Sequence, residues 1–153
     1  MGKMILMVGI SGSGKSYLAK KLAKAFDFYV ISSDAKREEW YGDANDQTHN
    51  KELFHKIEQL AKEKILSGEN VIIDATNTNI KQRKRFVELG KKLNIDTYAV
   101  VVHVSPQIAE KRNLSRTRIV PDYVIKRQCT NFEFPTKEEG FEDIFILKND
   151  KPE

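Results

Sequence analysis

Cysteine is nearly absent: Cys129 is the single one among 153 residues. A lone cysteine makes no internal disulfide, so nothing demands an oxidising compartment, and zinc sites built from several thiolates are excluded. Long apolar runs are absent as well. The longest, MILMVGI at 4–10 and YAVVVHV at 98–104, fall far short of the ~20 residues that span a bilayer. Lys3 precedes the first run, but that run is too short for a secretory signal and a glycine-rich motif follows it at once. The expectation is a cytoplasmic protein with no membrane segment. There is no low-complexity stretch and no internal repeat with a period of about 20–50 residues. Large net charge is absent too: 26 Lys and Arg against 22 Asp and Glu leave +4. That balance permits a polyanionic partner without demanding one. The hydrophobic share of 40% excludes disorder as the dominant state. A chain of this length buries roughly 70% of its unfolded surface, which predicts one domain over residues 1–153.

What is present is an alternation of short apolar runs and longer helical patterns. Strands are predicted at Met4–Gly9, Tyr29–Ser33, Asn70–Ala75, Thr97–Val104 and Ile144–Leu147. They are apolar with little alternation, the pattern of strands covered on both faces. Helices are predicted at Ser16–Phe26, Thr48–Ser67, Ile80–Leu93, Pro106–Leu114 and Pro121–Asn131. Their apolar residues recur at helical spacing, as in Leu53, Ile57, Leu60, Ala61 and Ile65. Gly68 suits a helix end, and Pro106 and Pro121 suit helix starts. The order β-α-β-α-β-α-β-α-α-β predicts an α/β fold with a parallel sheet and helices on both faces. Residues 149–153 read as a frayed tail.

One motif carries a mechanism. Residues 9–16 read GISGSGKS, the pattern G-x-x-x-x-G-K-[ST] of a phosphate-binding loop. It lies between a predicted strand and a predicted amphipathic helix, the context the motif requires. Gly9, Gly12 and Gly14 let the backbone close around phosphate oxygens with its N–H groups turned inward. The helix N-terminus adds a positive dipole. Lys15 supplies a point charge at the β- and γ-phosphates, and Ser16 offers a hydroxyl to Mg²⁺. Ser11, Ser13 and Tyr17 complete the candidate nucleotide-binding set. The loop indicates a nucleoside triphosphate; it does not say what becomes of the γ-phosphate.

Candidates for the second substrate lie where the strands end. In an open parallel sheet the ligand crevice opens at the carboxyl ends of the strands. Asp34, in VISSDAKR, falls there and suits a base that accepts an alcohol's proton; it equally suits a helix N-cap. Arg37 suits a bidentate grip on a phosphate, or a solvated surface charge. Asp74, in VIIDATNTN, suits a water-mediated Mg²⁺ contact, or a cap or turn. Arg112 and Arg116, four apart, share one helical face. With Lys111 and Arg118 they form a basic cluster with little acid nearby, as a phosphoryl-transfer lid over about residues 107–131 would need. A second basic run, Lys81, Arg83, Lys84 and Arg85, could touch a nucleic-acid backbone, although such a run is more often a solvated helix face.

Taken together, GISGSGKS, SSDAKR, Asn45–Gln47, DATN at Asp74–Asn77, RNLSR at Arg112–Arg116 and the closing EGFEDIFIL resemble the 5′-polynucleotide kinase domain of phage and bacterial nucleic-acid end-healing enzymes. The resemblance runs from about Met4 to about Leu147. It implies a P-loop kinase fold with strand order 2-3-1-4-5, ATP as donor and Mg²⁺ as cofactor. It implies that Lys15 and Ser16 bind the ATP phosphates and metal, with Asp34 or Asp74 reaching the metal through water. Asp34 would be the base on a 5′-hydroxyl, Arg37 would grip the phosphate after the acceptor nucleotide, and Arg112 and Arg116 would be lid arginines at the donor phosphates. The implied acceptor is a 5′-hydroxyl end of DNA or RNA, in nucleic-acid repair beside a separately made ligase or phosphatase. Two departures stand out: these 153 residues have no room for the phosphatase domain of the best-known members, and RTRIVPDY around Arg118 is a residue shorter than in some relatives, so Arg118 receives no role. Two other readings use the same loop: a small-molecule or nucleoside kinase, and a nucleotide-binding regulatory or toxin-like module.

Overall fold

The structure is a computed structural model that describes residues 2–114 and 120–149. Its elements are β1 (Lys3–Val8), α1 (Lys15–Phe26), β2 (Phe28–Ser32), α2 (Ser33–Tyr41), α3 (Asn50–Leu66), β3 (Asn70–Asp74), α4 (Ile80–Lys92), β4 (Asp96–His103), α5 (Pro106–Leu114), α6 (Asp122–Thr130) and β5 (Asp143–Lys148). The strands form one sheet in the order β2-β3-β1-β4-β5, and every neighbouring pair is parallel. All five strands therefore end at the same edge. This is the predicted α/β fold and strand order. The helix count differs: two helices, α2 and α3, join β2 to β3 where one was expected. The segment Ser33–Tyr41 has a weak apolar stripe, and it is helical because of its caps and its buried Arg37.

Parity explains the two-sided core. Met4, Leu6 and Val8 face one layer with Val71, Ile73, Ala99 and Val101, beneath Leu53, Ile57, Ala61 and Ile65 of α3 and Phe86 of α4. Met7, Ile72, Val100 and Val102 face the other layer, beneath Ala19, Leu18 and Leu22 of α1. Each fully buried side chain of this kind contributes about 1.5–3 kcal/mol. A third cluster of Ile10, Val104, Ala109, Val120 and Ile125 seats α5 and α6 beside the end of β1. One expectation is corrected here. β5 is not covered on both faces: Phe145 and Ile146 are about half exposed, because β5 is an edge strand with β4 as its single neighbour.

The basic run 81–85 does not form a uniform solvated face. Arg83 is fully buried. Its guanidinium meets the Glu139 carboxylate at 2.8 and 3.1 Å and donates to the carbonyls of Asn77 and Glu133, each at 2.8 Å. A buried charge is tolerable only when so fully paired. The tail expectation is corrected at Asn149, whose N–H donates to His103 O at 2.8 Å; residues 150–153 lie outside the described residues.

Removing the guanidinium alone leaves the Glu139 carboxylate without its counter-charge. Arg83→Ala should cost about 3–5 kcal/mol, read as a lower urea midpoint. A double change, Arg83→Met with Glu139→Gln, should recover part of that loss. A single change that left the midpoint unmoved would contradict this account.

Candidate active site

The phosphate loop leaves β1 at the centre of the sheet. Its entry is tied to β3: Gly9 N donates to Thr76 O at 2.9 Å, and Asn77 Nδ2 donates to Met7 O at 2.8 Å. Asn77 adopts a left-handed φ of 47°, and its own carbonyl is held by Arg83. DATN is thus a strap across the loop's entry. Gly12 and Gly14 have φ of +84° and +93°, a region that L side chains rarely adopt. A Cβ on Gly12 would also lie 2.5 Å from Ala109 O. Gly14 precedes α1, so the helix N-terminus opens into the loop.

The carbonyl side of the loop is held from behind. Arg112, buried at the end of α5, places Nη1 3.3 Å from Ser13 O and 3.5 Å from Gly12 O, while Nη2 donates to Asn149 O at 2.8 Å. Asn149 Nδ2 donates to the same Ser13 carbonyl at 2.9 Å. With the carbonyls so engaged, the opposite side of the peptides is left to the N–H groups that an anion needs. Arg112 therefore meets the loop itself. Its expected companion Arg116, and Arg118, lie outside the described residues. Lys15 is only 8% exposed. Tyr17 is 68% exposed, with Lys21 Nζ 5.1 Å from its ring centroid.

Facing the loop across one cavity are Ser32, Asp34 and Arg37 from the end of β2 and from α2, Asp74 at the end of β3, and Tyr123, Val124 and Gln128 from α6. The cap reading of Asp34 is corrected: Ser32 is the N-cap of α2, its hydroxyl accepting from Ala35 N at 3.2 Å. Asp34 instead sits inside the first turn and accepts from Arg37 Nη1 at 2.8 Å. Arg37 is not a solvated charge. It is 5% exposed, and Nη2 donates to Asn50 Oδ1 at 3.0 Å. Its Nε is buried with no partner.

Four buried side-chain atoms have no partner among the described residues: Ser13 Oγ, Arg37 Nε, Asp74 Oδ1 and Asn77 Oδ1. Native interiors leave few such atoms, and these four lie in the phosphate loop, on α2, at the end of β3 and in the strap that follows it. Asp74 and Ser16 line the same cavity. That donor set fits Mg²⁺, which is held by one or two protein oxygens together with waters and phosphates. Asp74 is neither a cap nor a turn residue; it closes β3, in register with Met7 and Ser32.

Sequence reasoning missed Gln128, Asn50 and Asn149. Gln128 Oε1 accepts from Ser11 N at 2.7 Å, so α6 reaches into the phosphate loop. No spacing rule marks a lone glutamine or asparagine, because each acts here through a contact made across the fold. The loop before α3 brings Asn45 and Gln47 to the cavity. Asp46 between them anchors that loop, accepting from Thr48 Oγ1 at 2.6 Å and Thr48 N at 2.8 Å.

Residues 4–135 match the family described as AAA domain, and the chain belongs to that family. It is 26% identical over 147 residues to the bifunctional polynucleotide phosphatase/kinase of Schizosaccharomyces pombe, a match covering 93% of this chain and 32% of that protein. The chain thus spans about a third of that relative's length. It superposes on a chain of the Pnkp1/Rnl/Hen1 RNA repair complex with a TM-score of 0.74 at 23% identity, covering 85% of this chain and 43% of the other. It superposes on the Mycobacterium tuberculosis APS kinase CysC with a TM-score of 0.72 at 18% identity, covering 99% and 90%. The fold is that of the P-loop kinases. No helix among the described residues is long and apolar enough to cross a membrane.

Two outcomes follow from this geometry. Gly12→Ala should weaken ADP binding at least about tenfold, through backbone strain and the clash with Ala109; calorimetric titration measures it. The hydroxyl and N–H of Thr48 hold the Asp46 carboxyl down at about 2. Its folded-state value is depressed, so its contribution is complete above the unfolded value of about 3.9 and is lost as pH falls through about 2. The Asp46 side-chain carbon resonance should accordingly titrate near 2.

Proposed function

We propose that this chain is a phosphotransferase that moves the γ-phosphoryl group of ATP to the 5′-hydroxyl of a polynucleotide, DNA or RNA. The observation that carries this reading is the Asp34–Arg37 pair. A carboxylate joined at 2.8 Å to a buried guanidinium lines the same cavity as the phosphate-loop lysine. Arg37 Nε is buried and unpartnered, a vacant donor suited to an acceptor phosphate. The likeness to the polynucleotide phosphatase/kinase supports the same acceptor.

In this reading the 5′-hydroxyl lies between Asp34 and the γ-phosphorus. Its oxygen bonds to phosphorus, its proton passes to the Asp34 carboxylate, and the bond to the β,γ-bridging oxygen breaks to release ADP. Lys15 and the N–H groups of the loop take up the charge that gathers on the phosphate oxygens. Arg112 serves the donor phosphates through the loop it braces. Mg²⁺, when held by Ser16 and reached by Asp74, supplies charge neutralisation to the β- and γ-phosphates. Tyr123, Val124 and Gln128 of α6 limit the access of water to the cavity.

The test is transfer of labelled γ-phosphate from ATP with Mg²⁺. A 5′-hydroxyl oligonucleotide should be labelled, and neither its 5′-phosphorylated twin nor free nucleosides should be. Labelling of nucleosides alone, or slow ATP hydrolysis with no labelled strand, would overturn the acceptor. Asp34→Asn, which keeps an acceptor oxygen for Arg37, should lower kcat by about 10²–10⁴ in a protein that circular dichroism shows to be folded at the assay temperature. Arg37→Lys should raise KM for acceptors that carry a phosphate after the first nucleoside and spare those that lack it.

A further inference from the structure

The cavity of the candidate active site does not end at the acceptor. Asn50 and Phe54 of α3 and Gln82 of α4 line it, and the same three residues line a neighbouring open groove between those two helices. That groove contains Lys51, Lys81, Lys84 and Arg85. Beyond it, Lys51 and Arg85 also border a third depression with His49, His55 and Glu52, whose carboxylate is already paired with Lys56 at 3.0 Å. Each hollow shares lining residues with the next, so the three form one continuous path away from the reaction centre.

The charge along this path is ordered. Both helices begin at the carboxyl edge of the sheet, so their positive N-terminal ends stand at the mouth of the groove. The cations lie in the first two turns: Lys51 on α3, and Lys81, Lys84 and Arg85 on α4. The two groove carboxylates, Glu58 and Glu88, come later on each helix, two turns (roughly 10 Å) beyond Lys51 and Lys81. Lys84 is partly neutralised by Glu88 at 3.9 Å. Lys51, Lys81 and Arg85 have no ion-pair partner among the described residues. Arg83, from the same run, is turned inward and paired, so the cations that remain at the surface are those facing the groove. Clustered unpaired cations repel one another unless an anion joins them. Half-buried Phe54 stands where cavity and groove meet, an aromatic face on which a base can stack.

We infer that the groove between α3 and α4 is the track for the polynucleotide strand beyond its first nucleotide, with Lys51, Lys81 and Arg85 meeting successive backbone phosphates. The inference rests on the acceptor assigned above. Contacts to phosphate position the strand and carry no base sequence, so the track selects strand length and leaves sequence unread.

The test combines equilibrium binding with transfer. A 3′-labelled 5′-hydroxyl oligonucleotide of about a dozen nucleotides is titrated with the whole chain by fluorescence anisotropy at KCl concentrations from about 25 to 200 mM. The comparison variant is Lys51→Ala/Lys81→Ala/Arg85→Ala. Lys51 and Lys81 are exposed and Arg85 is half-buried, and circular dichroism checks the variant's fold. The slope of log K against log[KCl] should become shallower by about 2, at roughly 0.7 per single-strand phosphate contact. The preference in kcat/KM for the oligonucleotide over a nucleoside 3′-monophosphate should fall at least about tenfold. Equal slopes for both proteins, or no strand bound by the parent chain at low salt, would overturn the track. Equal slopes with intact transfer to 5′-hydroxyl strands would leave the acceptor standing and assign these cations to another anionic partner. A shallower variant slope without transfer to any strand would support the track and remove the acceptor reading instead.

Discussion

The buried guanidinium of Arg83 is the point on which the rest of the site depends. It joins α4 to the Asn77 carbonyl, to the Glu133 carbonyl and to Glu139 in the short turn before β5. Asn77, held in this way, adopts a left-handed φ and ties its amide to the end of β1. The phosphate loop starts at the next turn of the chain. Glu133 N in turn donates to Thr78 O at 2.7 Å, which pins the segment leaving α6 against the start of α4. A charge in a low-dielectric interior demands every partner it can find, and here those partners are the segments that position the loop and the helix above it.

The loop itself is built from two sides. A phosphate cradle needs its N–H groups converging on one point, and peptide planes turn easily in a glycine-rich stretch. Bracing the carbonyls settles which way they turn. Arg112 and Asn149 do this from α5 and from the end of β5, while Gln128 of α6 meets one N–H from the front. Elements from the second half of the chain thus complete a motif that lies wholly in its first sixteen residues. The position of α6 is thus tied to the loop through the Ser11 N–H.

Much of this was legible before the structure. The strand order came from the resemblance, and the parallel sheet from runs such as NVIID and YAVVV, since unalternating apolar strands need cover on both faces. The same rule failed at IFIL, because composition does not reveal which strand lies at an edge. Asp34 and Ser32 exchanged the cap role, since either side chain can reach the first turn and only the backbone geometry decides between them. Arg37 and Arg83 looked like surface charges; burial of arginine is rare and is visible only once Asp34, Asn50 and Glu139 are seen beside them.

The phosphate-loop pattern could be read from the chain alone. Gly9 to Ser16 are contiguous, and a local backbone loop with a lysine and a hydroxyl is specified by neighbouring residues alone. The tertiary structure decided everything that joins distant segments: which arginines are buried, which carbonyls are braced, and where the surface cations align. Those outcomes depend on the low dielectric of a packed interior and on contacts between residues as far apart as Ser13 and Asn149. No local pattern encodes them, because the energy of each such contact exists only after the sheet has brought its partners together.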